Sequence, residues 1–209
     1  MSRPIRWSTD TGPDHSRWYV DRFRQLAAEG ADLGGEARLL DAMVAPGSRI
    51  LDAGCGTGRV GATLAARGHT VLGVDADPVL IDAARADHPG PRWLVADLAT
   101  LDLPASGIAE PFDAAVVAGN VMAFVAPGTE RDVLTRIAAH LRPDGIVVVG
   151  FGADRGYALA ASCGMPRRRW ASVTTSQPTK ANTGLTLPTP TAWGVQPALT
   201  PGNPQRIQL

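Results

Sequence analysis

One lysine, Lys180, and two cysteines, Cys55 and Cys163, are all that this 209-residue chain contains of either type. Two cysteines so far apart make neither a disulfide framework nor a metal-ligand spacing, and a reducing compartment is the expectation. Excess charge is missing too, since Lys plus Arg and Asp plus Glu each total 20. A chain without a net field has nothing to draw it to nucleic acid or anionic lipid. Its one local basic run, Arg167, Arg168 and Arg169, reads as a solvated surface feature. No stretch approaches the roughly 18 uninterrupted apolar residues of a membrane span. The opening MSRPIRWSTDTGPDHSRW is polar and lacks the apolar centre of a secretory signal. The expectation is therefore a cytoplasmic protein with no nucleic-acid or membrane partner.

What is present is alternation. Trp18, Tyr19, Phe23 and Leu26, then Leu39, Leu40 and Met43, recur at helical spacing within residues 14–45, and Ala45-Pro46-Gly47 stops that helical stretch. Short apolar runs follow at 49–53 (RILDA), 70–74 (TVLGV), 92–96 (RWLVA), 112–118 (FDAAVVA) and 146–151 (IVVVGF). Helical patterns at 59–67, 78–88 and 129–141 separate them, apart from the third and fourth runs. Apolar strands interleaved with amphipathic helices predict an α/β fold: a doubly wound, mostly parallel sheet covered by helices on both faces. The length suits one such core and not two. After Trp170 the composition breaks: residues 171–209 hold no acid and only two charges, Lys180 and Arg206, among Thr, Pro, Ser and Gln. Three regions result, a helical lid or substrate segment over 1–45, a ligand-binding domain over 46–170, and a tail over 171–209 expected to be disordered.

Asp52, Asp75, Asp97 and Asn120 stand 23, 22 and 23 residues apart, each at or just past the end of a predicted strand. One βα step between each pair brings all four to the carboxyl rim of the sheet, where ligands bind in open α/β folds. Asp77 reads as the N-cap of the helix that begins at Pro78, and Asp113 as a strand-start marker. The strongest motif is Leu51-Asp52-Ala53-Gly54-Cys55-Gly56-Thr57-Gly58-Arg59-Val60-Gly61, a strand entering a glycine turn and then a helix. Residues 56–61 fit the G-x-G-x-x-G of a dinucleotide site, with Asp75 near the distance expected of a ribose-binding acid. Asp52 counts against a pyrophosphate, which a carboxylate repels. A ligand carrying an ammonium and a carboxylate suits the turn better, with Asp52 accepting from the ammonium, directly or through water, and loop amides serving the carboxylate.

Across roughly residues 14–155 the chain resembles the class I S-adenosylmethionine-dependent methyltransferases. The glycine turn is similar to that family's first motif in its D-x-G-x-G-x-G form. The resemblance implies a Rossmann-like sheet, S-adenosylmethionine as cofactor and methyl transfer as the reaction. By the same resemblance, Asp52, Gly54, Cys55, Gly56 and Gly58 form the cofactor loop, and Asp75, with Ala76, meets the ribose hydroxyls. Asp97, with the amide of Leu98, meets the adenine edge. Asn120 lies near the transferring methyl, and Tyr19 belongs to a lid helix. No catalytic residue is assigned. Gly119-Asn120-Val121-Met122 lacks the signature of enzymes that methylate base or glutamine amines, which with zero net charge points to a small-molecule acceptor. Family members continue past the fifth strand with a helix and two further strands. Residues 157–164 and 168–175 suit the helix and a sixth strand, but the tail offers no convincing seventh, so the C-terminal strands are expected to be incomplete. A non-catalytic or truncated cofactor-binding domain and an NAD-dependent oxidoreductase are the alternatives.

Overall fold

The structure, a computed structural model, describes residues 3–152, 170–175 and 194–196. Helices α1 (Arg6–Thr9), α2 (His15–Ala28) and α3 (Gly35–Met43) precede the sheet. Then follow β1 (Arg49–Ala53), α4 (Arg59–Ala66), β2 (Thr70–Asp75), α5 (Pro78–Asp87) and β3 (Arg92–Val95). Two 3-10 turns, Leu98–Thr100 and Pro104–Ser106, lead to β4 (Phe112–Val117), α6 (Val121–Phe124), α7 (Glu130–Ala139) and β5 (Leu141–Gly152). The last described strands are β6 (Trp170–Thr175) and β7 (Gly194–Gln196).

The sheet order is β3-β2-β1-β4-β5-β6-β7, parallel up to β6, with β7 antiparallel at the edge. Successive strand residues point to opposite faces, so two apolar layers form. Leu51, Leu72, Phe112, Ala115 and Val117 meet Val133 and Ile137 of α7 on one face. Ile50, Val71, Ala114 and Val116 meet Leu40 of α3 and Val60 and Leu64 of α4 on the other. This two-sided burial explains why the strands read as continuous apolar runs and not as alternating ones. Residues 1–45 therefore divide. α3 is part of the main core, with Ala37 and Leu40 fully buried, whereas α1 and α2 lie over the rim.

Local chemistry sets the boundaries. Asp77 is the expected N-cap of α5, accepting from the Val79 amide at 2.8 Å with Pro78 in the first turn. Asp113 does more than mark a strand start: its carboxylate accepts from the Arg49 amide at 2.7 Å and pairs with Arg142 at 3.0 Å, tying the starts of β1, β4 and β5 together. The strand expected from residue 146 begins earlier, because Leu141 already pairs with Phe112 and the register shifts before Ala114 meets Ile146. β6 falls within residues 168–175, where a sixth strand is expected, and the three-residue β7 pairs with it from a tail that offers no convincing seventh. The helix expected over 157–164 and the Arg167–Arg169 run lie outside the described residues. No described helix is long and apolar enough to cross a membrane.

Trp93 of β3 sits directly across from Gly73 of β2, and its ring fills the space that a side chain at Gly73 would take. A methyl group there would overlap ring carbons Cε3 and Cζ3. Gly73→Ala is expected to destabilise the domain by about 1–3 kcal/mol through overpacking, read as a lower urea midpoint with an unchanged m-value.

Candidate active site

Gly54, Gly56 and Gly58 all adopt positive φ, at 79°, 54° and 83°, a conformation that side chains with a Cβ resist. Several N–H groups of the loop they form are already engaged. The amides of Gly54 and Cys55 both donate to the Val74 carbonyl, at 2.7 and 3.0 Å, and the Gly58 amide donates to the Cys55 carbonyl at 2.9 Å. The Gly56 amide donates to Asp75 Oδ2 at 2.9 Å, and the Gly61 amide to Asp52 Oδ2 at 2.8 Å. Asp75 thus occupies a loop amide that a diphosphate would need, and Asp52 an amide in the first turn of α4.

Asp52, Cys55 and Gly58 do not line the cleft that opens above this loop. Asp52 is still inside β1, one residue short of its end, so its side chain turns beneath the sheet's α4 face and is 1% exposed. Burial pushes its carboxyl up to about 7, and the Gly61 hydrogen bond and nearby Arg59 only partly oppose that. Direct contact with a ligand ammonium is therefore not what this placement offers. Cys55 is buried behind the loop beside Trp93, and burial pushes its thiol well above its ordinary range, which removes it as a nucleophile. Gly58 packs against the Trp93 ring.

The other expected residues do come together. Tyr19, Gly54, Gly56, Asp75, Ala76, Asp97, Leu98 and Asn120 line one cleft of about 600 Å³. Asp75 ends β2, and Asp97 and Asn120 lie beyond the ends of β3 and β4, so these side chains clear the sheet. Asp75 holds both oxygens in place, Oδ2 on Gly56 and Oδ1 on the Asp77 amide at 3.0 Å. Burial raises its carboxyl above the usual range despite those bonds. Asp97 also caps the turn at Leu98, accepting from the Ala99 amide at 2.9 Å. Asn120 is the one non-glycine residue with positive φ among those described, at 65°.

Several lining residues carried no expectation. Arg59, a spacer in the glycine motif, makes a bidentate pair with Glu36 of α3 at 2.9 and 2.8 Å and donates to the Leu33 carbonyl at 2.8 Å. Burial works to raise the Glu36 carboxyl, but the Arg59 hydrogen bonds and charge hold it below its ordinary value. The position of Arg59, first in the helix after a ligand loop, was the available signal. Trp7 and Phe124 belong to four-residue helices too short to show periodicity. Trp7 Nε1 donates to Asp77 Oδ2 at 2.7 Å, and the Ser16 hydroxyl donates to the same oxygen, so the N-terminal segment is fastened beside the rim.

The raised Asp52 carboxyl has a stability consequence. The folded state binds this proton more tightly than the unfolded chain, whose value is near 3.8. Its contribution is thus fully present below about pH 4 and is lost as pH rises toward and through 7. Asp52→Asn keeps an oxygen for the Gly61 amide but has no proton to lose. Its urea midpoint relative to wild type is expected to rise between pH 4 and pH 8. A constant difference across that range would refute the assignment.

A profile described as a methyltransferase domain matches residues 50–145. A crystal structure of a TehB-like S-adenosylmethionine-dependent methyltransferase from Corynebacterium glutamicum is similar at 48% identity, with a TM-score of 0.66, covering 72% of this chain and 79% of that one. An uncharacterised methyltransferase of Mycobacterium tuberculosis is 41% identical over 114 residues, 53% of this chain and 54% of the relative. Magnesium-protoporphyrin O-methyltransferase of Rhodobacter capsulatus is 35% identical over 139 residues, covering 63% and 57%. The chain spans from 28% to 57% of the length of the curated relatives it matches. Glycine loop, rim acids and sheet order agree with these likenesses, and the chain belongs to the S-adenosylmethionine-dependent methyltransferases.

Proposed function

We propose that the chain transfers a methyl group from S-adenosylmethionine to a small-molecule acceptor bound in the same cleft. The observation that carries this is the state of the glycine loop. Its Gly56 amide is taken by Asp75, a carboxylate that lines the cleft, and the Gly61 amide in the first turn of α4 is taken by buried Asp52, so neither amide is free for a phosphate. That arrangement repels a pyrophosphate and suits a ligand without one.

The residues present fit the cofactor. Asp75 stands with its oxygens fixed from behind, ready to accept from the two ribose hydroxyls, and Ala76 borders it. Asp97 and the Leu98 amide take the adenine edge. Gly54 and Gly56, without side chains, let the ligand approach the main chain. The zwitterionic amino acid end finds Arg59 and Glu36, a cation and an anion at one place. Three of the guanidinium donors of Arg59 are engaged, which leaves two of its five for a carboxylate. Asp52 serves this end indirectly, by holding the first turn of α4 in place.

When bound, the cofactor supplies an electrophilic methyl on a positively charged sulfur. The protein's part is to orient the acceptor and exclude water, and orientation alone is worth up to about 7–11 kcal/mol. Asn120, at the end of β4, is the positioned polar group nearest the acceptor half. The magnesium-protoporphyrin relative supports a small-molecule acceptor, as does the balanced charge of the chain.

Calorimetry tests the reading. S-adenosylhomocysteine is expected to bind one site, with NADH at least a hundredfold weaker, and a preference for NADH would overturn it. Asp75→Ala is expected to weaken S-adenosylhomocysteine by roughly ten- to a hundredfold, the loss of charge-assisted hydrogen bonds of about 1.5–3 kcal/mol.

A further inference from the structure

The half of the cleft not lined by rim residues is built almost entirely by the N-terminal segment and α6. Four rings run along its wall. Trp7 meets Phe124 edge to face, with centroids 5.4 Å apart at 84°, and Tyr19 at 5.3 Å and 88°. Tyr19 in turn lies 4.5 Å from Phe23, above which the Arg59 guanidinium sits at 5.7 Å. His15 packs on Trp7 at 4.7 Å, and Ile5 and Val125 complete the apolar lining. His15, Arg22 and the Tyr19 hydroxyl bring polar groups to the cleft as well. The Thr11 hydroxyl is already spent on the Trp7 carbonyl, and the Trp7 indole N–H on Asp77.

We infer that this chamber is the acceptor site, and that it takes a flat aromatic nucleophile, a phenol or aryl thiol, and not a polyhydroxylated sugar amine. The inference rests on the methyltransferase reading above and adds the acceptor class to it. Rings locked edge to face present flat apolar surface on which an aromatic acceptor stacks, at a gain beyond simple burial. A sugar in the same place would set several of its hydroxyls against ring faces, and each one left without a partner costs free energy to desolvate. Asp77 is the positioning residue of the chamber. One of its oxygens caps α5, and the other receives both Trp7 and Ser16. It acts through Trp7 and touches no acceptor itself.

The test uses the full chain. Protein saturated with S-adenosylhomocysteine is titrated with 2-naphthol and, separately, with methyl glucosaminide, and tryptophan emission is followed. Naphthalene-2-thiol is then offered with S-adenosylmethionine. In that reaction the thiol sulfur's pair forms the new S–C bond, the donor's C–S bond breaks with its pair returning to the donor sulfur, and the thiol proton passes to solvent. Saturable 2-naphthol binding at least tenfold tighter than the sugar, with the methyl thioether found by mass spectrometry, is the expected result. Asp77→Asn keeps the capping oxygen but offers an amide where Trp7 needs an acceptor. It is expected to weaken 2-naphthol at least tenfold while S-adenosylhomocysteine changes less than threefold. Trp7→Leu, which preserves apolar bulk, is expected to weaken 2-naphthol similarly. Tighter sugar binding, no aryl binding, or unchanged 2-naphthol affinity in both variants overturns the chamber assignment. Failure to bind S-adenosylhomocysteine at all instead overturns the methyltransferase reading.

Discussion

Two carboxylates hold the glycine loop from below, Asp52 through the Gly61 amide and Asp75 through the Gly56 amide, and the rest of the cleft is organised around that fact. A loop of glycines with positive φ is entropically expensive to order, and a buried amide without a partner is costly. Here the protein supplies those partners itself, from the ends of adjacent strands. The first turn of α4, the position of Arg59 and the aim of Asp75 all follow. Trp93 closes the loop from the side, filling the hole left by Gly73 and pressing on Gly58. The loop is therefore held in place by the protein's own groups.

The division of labour along the cleft follows the chain. The rim of the sheet, from β1 to β4, provides the polar groups that suit a nucleoside and an amino acid. The segment before the sheet provides rings. Asp77, two residues beyond Asp75, fastens the N-terminal segment to the turn that follows β2. α6 completes the link from the other side, since it starts just after Asn120 and ends on Phe124.

Much of this was legible beforehand, for identifiable reasons. Strands buried on both faces produce unbroken apolar runs, so the sheet falls where the pattern says, and a regular βα repeat puts polar residues at one rim, where Asp75, Asp97 and Asn120 line one cleft. Asp52 was misaimed because the spacing counts residues from strand to strand but not whether a side chain is still inside its strand. Asp75, Asp97 and Asn120 end or follow theirs; Asp52 does not. A motif names consecutive positions without saying which face the cleft, and here Gly54 and Gly56 do while Cys55 and Gly58 pack toward Trp93. Trp7 and Phe124 were invisible because single-turn helices have no period. Arg59 was hidden in plain view as a spacer, its role fixed by Glu36, which lies 23 residues away in sequence.

Asn120 constrains what this site can become. Its left-handed backbone, at φ 65°, admits glycine, asparagine or aspartate with little strain and penalises branched or bulky side chains. The residue where the nucleoside rim gives way to the ring-lined chamber can thus be short and polar, or absent, and little else. The N-terminal segment carries no such restriction, since none of its described non-glycine residues has positive φ.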